Sequence, residues 1–244
     1  MKLEELRQLL AKATRETQFA GRCYFAGGCV RDQLLERVGA LLDADIAVEL
    51  PAGGIALARF LAQKLGLTEP RTHPAFGTAK LELKGVPLEF VMTRSERYLP
   101  GNRFPRVRFA PLSDDSRRRD FTVNALYQRI GDAAILDPCA LGLKDLQNRL
   151  IRCVRDPRKS FQEDPLRLLR ALRFAAVLDF DLEPQTYAAI GDLAPLASRL
   201  SRARCQSEIE RLKSVASPLQ LERWENLAQD TGIREILSSK ITTL

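Results

Sequence analysis

Several kinds of residue and segment are scarce in this chain of 244 residues. Histidine occurs once, as His73, which excludes most histidine-dependent chemistry, including a Ser-His-Asp triad unless His73 is its base. The five cysteines are odd in number and lack CxxC spacing. We therefore predict neither a zinc site nor a disulfide framework, but reduced thiols in a cytoplasmic protein. No apolar run approaches the ~20 residues that a membrane span requires, and the N-terminus reads as an amphipathic helix rather than a signal peptide.

Positive charge, in contrast, is abundant and concentrated in the middle of the chain. The formal net charge is +7. Residues 94–129 hold nine arginines against four acids, and residues 144–173 hold nine basic residues against four acids. From residue 179 onward, eight basic residues meet ten acids. This distribution favours contact between the central region and a polyanion such as nucleic acid, although basic surfaces also serve solubility alone.

Hydrophobic periodicity divides the chain near residue 140. Before that point, short apolar strands alternate with helices; strands are predicted at 24–26, 41–48, 78–83, 86–92 and 135–136. Helices are predicted at 1–18, from the glycine pair to about 38, at 55–65 and at 121–127, and an arginine- and proline-rich loop at 94–113. After residue 140 the pattern is helical, and the prolines at 157, 165, 184, 195 and 218 mark boundaries between helices. We predict an α+β domain at 1–140 and a helical segment at 141–244.

Two carboxylates, Asp43 and Asp45, lie two positions apart on a predicted strand and therefore project from the same face. Carboxylates this close repel each other unless a cation lies between them, and Mg²⁺ prefers oxygen ligands supplied jointly by protein and substrate phosphates. Glu89 interrupts a neighbouring apolar strand and is the best third candidate. Such pairs at strand ends are also often simply solvated.

A glycine pair, Gly27-Gly28, ends the strand before a predicted helix. It would let backbone amides approach a phosphate at the helix N-terminus. It matches neither a Walker A loop nor GxGxxG, and a plain tight turn is the simpler alternative.

Four segments in order resemble the class II tRNA nucleotidyltransferases, a family that includes CCA-adding, CC-adding and A-adding enzymes and bacterial poly(A) polymerases. The segments are Gly27-Gly28-Cys29-Val30-Arg31-Asp32, Asp43-Ala44-Asp45, Arg118-Arg119-Asp120-Phe121-Thr122-Val123-Asn124-Ala125 and the stretch from Glu163 to Phe174. The resemblance implies a polymerase-β-like nucleotidyltransferase head followed by an all-helical neck and the start of a body domain. We expect no full tail domain. The sequence departs from the family pattern in the spacing before Asp43, at Glu36, and at Ala203, where a glutamate is usual.

The resemblance also assigns roles. It implies metal binding by Asp43 and Asp45, with Glu89 a weaker third catalytic acid, and nucleotide binding by a larger set. That set is Gly27, Gly28, Arg31, Arg118, Arg119, Asp120, Asn124, Asp164, Arg167 and Arg170. Arg118 and Arg119 would contact triphosphate, Asp120 would orient an arginine, and Asn124 would reach the sugar.

Base selection without a template strand must come from the protein. Asp164 and Arg167 lie three residues apart on a predicted helix and share a face. A carboxylate accepts from an exocyclic amine and a guanidinium donates to a ring acceptor, so the pair would accept cytosine and adenine and reject uracil and guanine. Without the resemblance, Asp164 before Pro165 would be interpreted as a helix N-cap.

These observations predict Mg²⁺-dependent addition of C and A nucleotides from CTP and ATP to the 3′ end of tRNA. The alternatives are CC addition, A addition, poly(A) synthesis, a non-catalytic RNA-binding relative, or a transferase acting on a small molecule. A small-molecule transferase would not explain the arginine density, and an RNA-binding module would not explain the pair of aspartates. The oligomeric state stays open.

Overall fold

The computed structural model describes residues 1–37, 39, 41–97, 106–238 and 240. The chain forms two compact units. The first unit comprises Met1–Arg119 and Asn124–Gly142, and the second comprises Asp120–Val123 and Leu143–Leu244. The short segment 120–123 therefore packs with residues that follow it at a distance along the chain.

The first unit combines helices with a mixed sheet. Its helices are α1 (Leu3–Thr14), α2 (Gly28–Leu34), α3 (Gly53–Leu65) and α4 (Leu112–Arg117). Its strands are β1 (Cys23–Ala26), β2 (Ala44–Val48), β3 (Arg71–His73), β4 (Thr78–Leu83), β5 (Val86–Met92), β6 (Arg94–Arg97), β7 (Arg106–Phe109), β8 (Tyr127–Arg129) and β9 (Ile135–Leu136). A 3₁₀ turn covers Pro74–Phe76, and another, Thr122–Asn124, begins in the segment that belongs to the second unit.

The main sheet has the order β3-β4-β5-β2-β1-β8-β9 within the described residues. Strands β2 and β5 are parallel, and the other neighbours are antiparallel. Phe25, Ile46 and Phe90, from three adjacent strands, are fully buried and form part of the core. Separately, β6 and β7 pair as a two-stranded antiparallel ribbon.

Helix α3 packs closely against the sheet at Gly54. A Cβ at Gly54 would lie 2.7 Å from the Gly77 carbonyl oxygen and 2.8 Å from the Met92 backbone nitrogen. No side chain fits at that distance, so glycine permits the close approach of the helix to β5. The helix ends at Gly66, which has φ +64° and donates its backbone N–H to Ala62, as the sequence predicts for a helix C-terminus.

The second unit is helical apart from one short strand pair. Its helices are α5 (Gly142–Gln147, whose first residue is counted with the first unit), α6 (Pro157–Glu163), α7 (Leu166–Leu178), α8 (Pro184–Leu193), α9 (Arg202–Lys213), α10 (Pro218–Asp230) and α11 (Ile233–Ser238), with a 3₁₀ helix at Ala194–Arg199. Strands β10 (Leu150–Ile151) and β11 (Asp181–Leu182) are parallel. The side chains of Asp156, Glu183, Ser201 and Ser217 cap α6, α8, α9 and α10. Three of these helices, α6, α8 and α10, begin with proline, at residues 157, 184 and 218, where the missing N–H would have no partner within the helix.

Several local predictions differ from the structure. The predicted helix at 121–127 is wrong: Phe121 forms a β-bridge with Cys153, and the Thr122 N–H donates to the Arg152 carbonyl. These backbone groups are therefore bonded across the chain rather than along a helix. The predicted loop at 94–113 contains β6, β7 and the start of α4, while its residues 98–105 lie outside the described residues, as does Val38 at the predicted end of α2. The predicted boundary at 140 places residues 120–123 in the first domain, whereas their contacts lie in the second unit.

All five cysteines are free thiols. Burial raises the pKa of Cys23 and of Cys153 to about 12, which keeps both as neutral thiols. Within the described part of the chain, no helix has the length and apolar character needed to cross a membrane.

Candidate active site

Asp43 directly precedes β2 and Asp45 is its second residue; both keep an exposed surface, but protein packed around Asp45 removes part of the water from its carboxyl. Asp45 pairs in register with Glu89 of β5, so the two acids stand side by side on the sheet. Glu89 also faces Lys80 of β4, with 3.3 Å between Lys80 Nζ and Glu89 Oε2. The sheet register thus brings the predicted third acid beside Asp45 but gives it a lysine partner, which sequence reasoning missed.

The electrostatics at Asp45 fit a cation. Desolvation by the surrounding protein raises the pKa of the Asp45 carboxyl, and the charges of Glu89 and Asp43 raise it further, against Arg119 and Lys80. Ionised Asp45 is therefore held in an unfavourable environment that a divalent cation would relieve. Among the described residues, no group of three or more His, Cys, Asp or Glu side chains is arranged to hold a metal ion. Two carboxylates suit a cation that takes its remaining oxygen ligands from phosphates.

Gly27 forms the turn between β1 and α2. Its φ of +74° lies in the region that favours glycine, and its N–H donates to the Leu126 carbonyl. A Cβ at Gly27 would lie 3.2 Å from Arg119 Nη1 and 3.8 Å from Asp45 Oδ2. The absence of a side chain therefore leaves room beside a guanidinium and a carboxylate, and Gly28 follows as the first residue of α2.

Arg119 is held in place by a chain of hydrogen bonds. Its Nε donates to the Tyr127 hydroxyl at 2.8 Å, and its Nη1 donates to the Asn124 carbonyl at 3.3 Å. The Tyr127 hydroxyl in turn donates to Asp115 Oδ2 at 2.7 Å, and Arg119 Nη2 lies 3.6 Å from the same oxygen. The guanidinium also lies 4.8 Å from the centre of the Tyr127 ring. The predicted triphosphate-binding arginine is thus oriented before any ligand arrives.

Asp115 is the centre of this network. It is almost fully buried and also accepts from Arg118 Nε at 2.9 Å and from the Arg94 backbone N–H at 3.0 Å. Burial alone would raise the pKa of the Asp115 carboxyl, but Arg118 and Arg119 hold it below its usual value. Sequence reasoning missed Asp115. Its position three and four residues before Arg118 and Arg119 is the helical ion-pair spacing that signals it.

Arg31 and Asn124 meet next to Arg119, whose Nη1 donates to the Asn124 carbonyl. Arg31 Nη1 donates to Asn124 Oδ1 at 2.6 Å, while its Nε and Nη2 donate to Asp32 at 2.8 and 2.9 Å. Arg31 is buried and links α2 to Asn124, the residue predicted to reach the sugar.

In the second unit, Asp120 pairs with Arg170. Arg170 Nε and Nη2 lie 2.8 and 2.7 Å from Asp120 Oδ2, and Asp120 Oδ1 accepts the Phe121 N–H. Despite burial, this guanidinium and these hydrogen bonds lower the pKa of Asp120 to about 2. The resemblance predicts that Asp120 orients an arginine, and the arginine it contacts is Arg170.

Asp164 and Arg167 lie at the junction of α6 and α7. Asp164 Oδ1 accepts the Leu166 N–H at 3.2 Å and Arg204 Nη2 at 2.9 Å. Pro165, not Asp164, occupies the N-cap position of α7, so the contact with Leu166 stabilises the turn just before the helix rather than the N-cap that the alternative interpretation predicts. Arg167 is buried and donates through Nη1 to the Ser160 hydroxyl at 2.7 Å. Sequence reasoning missed the partner Arg204.

Comparisons with known proteins identify a family and several relatives. The sequence profile of the Poly A polymerase head domain matches residues 23–152. The mitochondrial CCA tRNA nucleotidyltransferase of Saccharomyces cerevisiae is 34% identical over 211 residues, covering 79% of this chain and 38% of that protein. The A-adding tRNA nucleotidyltransferase of Aquifex aeolicus is 41% identical over 167 residues, covering 68% of this chain and 19% of that protein.

A solved structure is also similar. It is a tRNA nucleotidyltransferase complexed with a primer tRNA and an incoming ATP analog, with a TM-score of 0.76 and 32% identity over 93% of this chain and 62% of that chain. The chain spans less than half of the length of either curated relative above.

Proposed function

The chain belongs to the class II tRNA nucleotidyltransferase and poly(A) polymerase family, and we propose that it adds C and A nucleotides to the 3′ end of tRNA. The substrates would be CTP and ATP, and the product would be pyrophosphate. The observation that supports this best is the convergence of Gly27, Asp45 and Arg119 in the first unit. It sets a side-chain-free turn, an acid and a fixed guanidinium beside each other, as nucleotide transfer requires.

Nucleotidyltransferases of this kind generally use divalent metal ions, and we assign Mg²⁺ to Asp43 and Asp45. Glu89 is a weaker third catalytic acid because Lys80 shares its charge. When bound, the ion would lower the pKa of the attacking hydroxyl and neutralise charge on the leaving pyrophosphate. Arg119, already fixed by Tyr127, would bind the triphosphate, and Arg118, fixed by Asp115, would support it. The five free thiols support a cytoplasmic protein.

The experiment that tests the function offers three tRNAs, ending before the first C, after CC and after CCA, with CTP and ATP separately and together. We expect three nucleotides on the first tRNA, one A on the second and none on the third. Long A tails on the third would indicate a poly(A) polymerase, and arrest after two C residues a CC-adding enzyme. If folded protein with Mg²⁺ incorporates no nucleotide into any of the three tRNAs, the remaining alternative is a non-catalytic protein that binds RNA.

A second candidate is addition of A alone. It is favoured by the 41% identity to the A-adding relative, which exceeds the 34% identity to the CCA-adding relative from yeast. In the same experiment, this activity would extend only the tRNA that ends after CC, and CTP would be left unused.

Base selection is assigned to Asp164 and Arg167, and we expect Asp164→Ala or Arg167→Ala to relax discrimination against UTP and GTP. A good bidentate base contact carries ~1–3 kcal/mol of discrimination, or roughly 5- to 150-fold. Relative incorporation of the four nucleotides measures it. Asp156→Ala is the matched control, because Asp156 caps α6 through the Lys159 N–H without a role in base reading. Loss of thermal stability with unchanged selectivity in Asp164→Ala would show that Asp164 only stabilises the turn before α7.

A further inference from the structure

Strands β6 and β7 form a ribbon whose two faces differ sharply in chemistry. Residues alternate between faces along a strand, and cross-strand partners share a face. The register pairs Arg97 with Arg106 and Ser95 with Arg108. These four residues therefore form one face, here called the outer face, and all four are exposed.

The opposite face of the ribbon is tied to the rest of the first unit. Arg94 Nη2 lies 2.8 Å from Glu96 Oε1, and Arg118 Nη1 lies 3.4 Å from the same oxygen. Arg94 also donates through Nη1 to the Phe76 carbonyl at 2.7 Å. The ribbon is therefore fixed through its inner side chains, and the orientation of the outer face is fixed with it.

The outer face carries three guanidinium groups and no acid. Among the residues that the structure describes, Arg97, Arg106 and Arg108 make no ion pair. Like charges directly opposite each other on two strands destabilise the pairing, and Arg97 stands opposite Arg106. Charged side chains protect exposed strand edges from aggregation, but protection does not require two like charges directly opposite each other, so it does not account for the opposed pair of Arg97 and Arg106.

We propose that the outer face of this ribbon binds the phosphate backbone of RNA. Guanidinium groups match phosphate oxygens in a bidentate geometry, and a polyanion would remove the repulsion between Arg97 and Arg106. Protein interfaces have apolar and aromatic centres, and this face offers only serine and arginine, which favours a phosphate backbone over an acidic protein. The choice of RNA as the polyanion rests on the proposed function.

The test measures binding of labelled deacylated tRNA, without nucleotide, as a function of salt concentration. Each phosphate contact contributes about 0.7 to 0.9 to the slope of log K against log salt. We expect the triple variant Arg97→Gln/Arg106→Gln/Arg108→Gln to lower the magnitude of this slope by about 2. The triple Arg→Lys variant should keep most of the slope, because the slope depends mainly on the number of positive charges that contact phosphates and lysine keeps that charge.

The matched control is Lys12→Gln/Arg15→Gln/Arg22→Gln, which removes the same charge from exposed positions of the same unit. An equal loss in this control would show that net charge alone governs binding and would overturn the inference. An unchanged slope in a folded ribbon variant would overturn the inference as well. So would polyglutamate, if it competed with labelled tRNA for the protein as strongly as unlabelled tRNA does. If the wild-type protein binds tRNA through the ribbon but adds no nucleotide, the inference holds and the proposed function fails.

Discussion

At the scale of single residues, the ionised form of Asp45 is disfavoured by its surroundings in the folded protein. The pKa of its carboxyl is raised above that of an unfolded chain, so the protonated form is favoured in the native state. The stability that this shift contributes is present at low pH and is lost as pH rises through the folded-state pKa. At neutral pH the carboxylate is therefore maintained at a cost, which its assignment to a metal explains.

We expect Asp45→Asn to abolish nucleotide addition while its melting temperature at pH 7 equals or exceeds that of the wild type. The difference should shrink as the pH falls, because Asp45 then becomes neutral in both proteins. Mg²⁺ should raise the melting temperature of the wild type more than that of the variant. Asp132→Asn, which removes an exposed acid of the same unit, should keep both the activity and the Mg²⁺ response. Near-normal activity in folded Asp45→Asn would refute the assignment.

A second prediction concerns the hydroxyl that holds Arg119. Tyr127→Phe removes the acceptor of Arg119 Nε, so we expect the KM for CTP and for ATP to rise equally, by about 5- to 30-fold for a loss of about 1–2 kcal/mol. Affinity for tripolyphosphate, measured by calorimetry, should fall in parallel. Selection between bases should not change, because the contact lies at the phosphate.

The matched control for Tyr127→Phe is Tyr24→Phe. Both rings belong to the same buried cluster, and the Tyr24 hydroxyl lies 3.1 Å from the Gly21 carbonyl oxygen and 3.2 Å from Glu49 Oε2, so it does not hold Arg119. Equal rises in KM for the two variants would mean that the loss comes from general weakening of the cluster.

At the scale of elements, the local sequence pattern was enough to predict those helices and strands whose own residues follow a regular apolar and polar alternation. Strands β4 and β5 alternate apolar and polar residues and were predictable at both ends, and α3 ends at Gly66 as its sequence indicates. The structure of the segment 121–127 was not predictable, because Phe121 and Thr122 pair with residues 152–153 and Tyr127 pairs with Ala26 and Leu136, all out of reach of any local pattern. Within the candidate site, the roles of the motif residues stay predictions. Asp115 is signalled in the sequence by its spacing before Arg118 and Arg119, whereas the contacts of Lys80 and Arg204 depend on side-chain geometry that only the fold provides.

The pair of Asp120 and Arg170 joins the segment 120–123 to α7, and we expect Asp120→Asn to lower the free energy of unfolding by about 3 kcal/mol. Removing one partner leaves the other charge buried and unpaired. Because the pKa of Asp120 is lowered to about 2, its stabilisation is present above the unfolded pKa near 3.8 and is lost as the pH falls toward 2.

Chemical unfolding of wild type and variant should therefore differ at pH 7 and converge at acid pH. Asp181→Asn, which breaks an exposed ion pair with Arg223 in the same unit, should cost less than about 1 kcal/mol. If both variants lose a comparable free energy of unfolding, the buried pair of Asp120 and Arg170 stabilises the protein no more than an exposed ion pair does.

At the scale of the whole molecule, the two units are interleaved along the chain rather than consecutive. A fragment cut at residue 143 lacks Asp120 and the fully buried Phe121, whose ring packs edge-on against Phe174 at 5.9 Å between ring centres. We expect residues 120–244 to melt cooperatively, and residues 143–244 to melt at lower temperature or without cooperativity. Residues 124–244 are the control, because they add chain length without the segment. If residues 124–244 are as stable as 120–244, the segment contributes nothing to the second unit.

This interleaving also bears on how the chain folds as the ribosome makes it. Asp120 leaves the ribosome 50 residues before Arg170, the partner that neutralises it. The strands β8 and β9 emerge in that interval, so the nascent sheet acquires its last strands while Phe121 still has no partner from α7. For that period residues 120–123 leave the apolar side chains of Phe121 and Val123 without their partners from the second unit, a point at which mispairing or chaperone capture would begin.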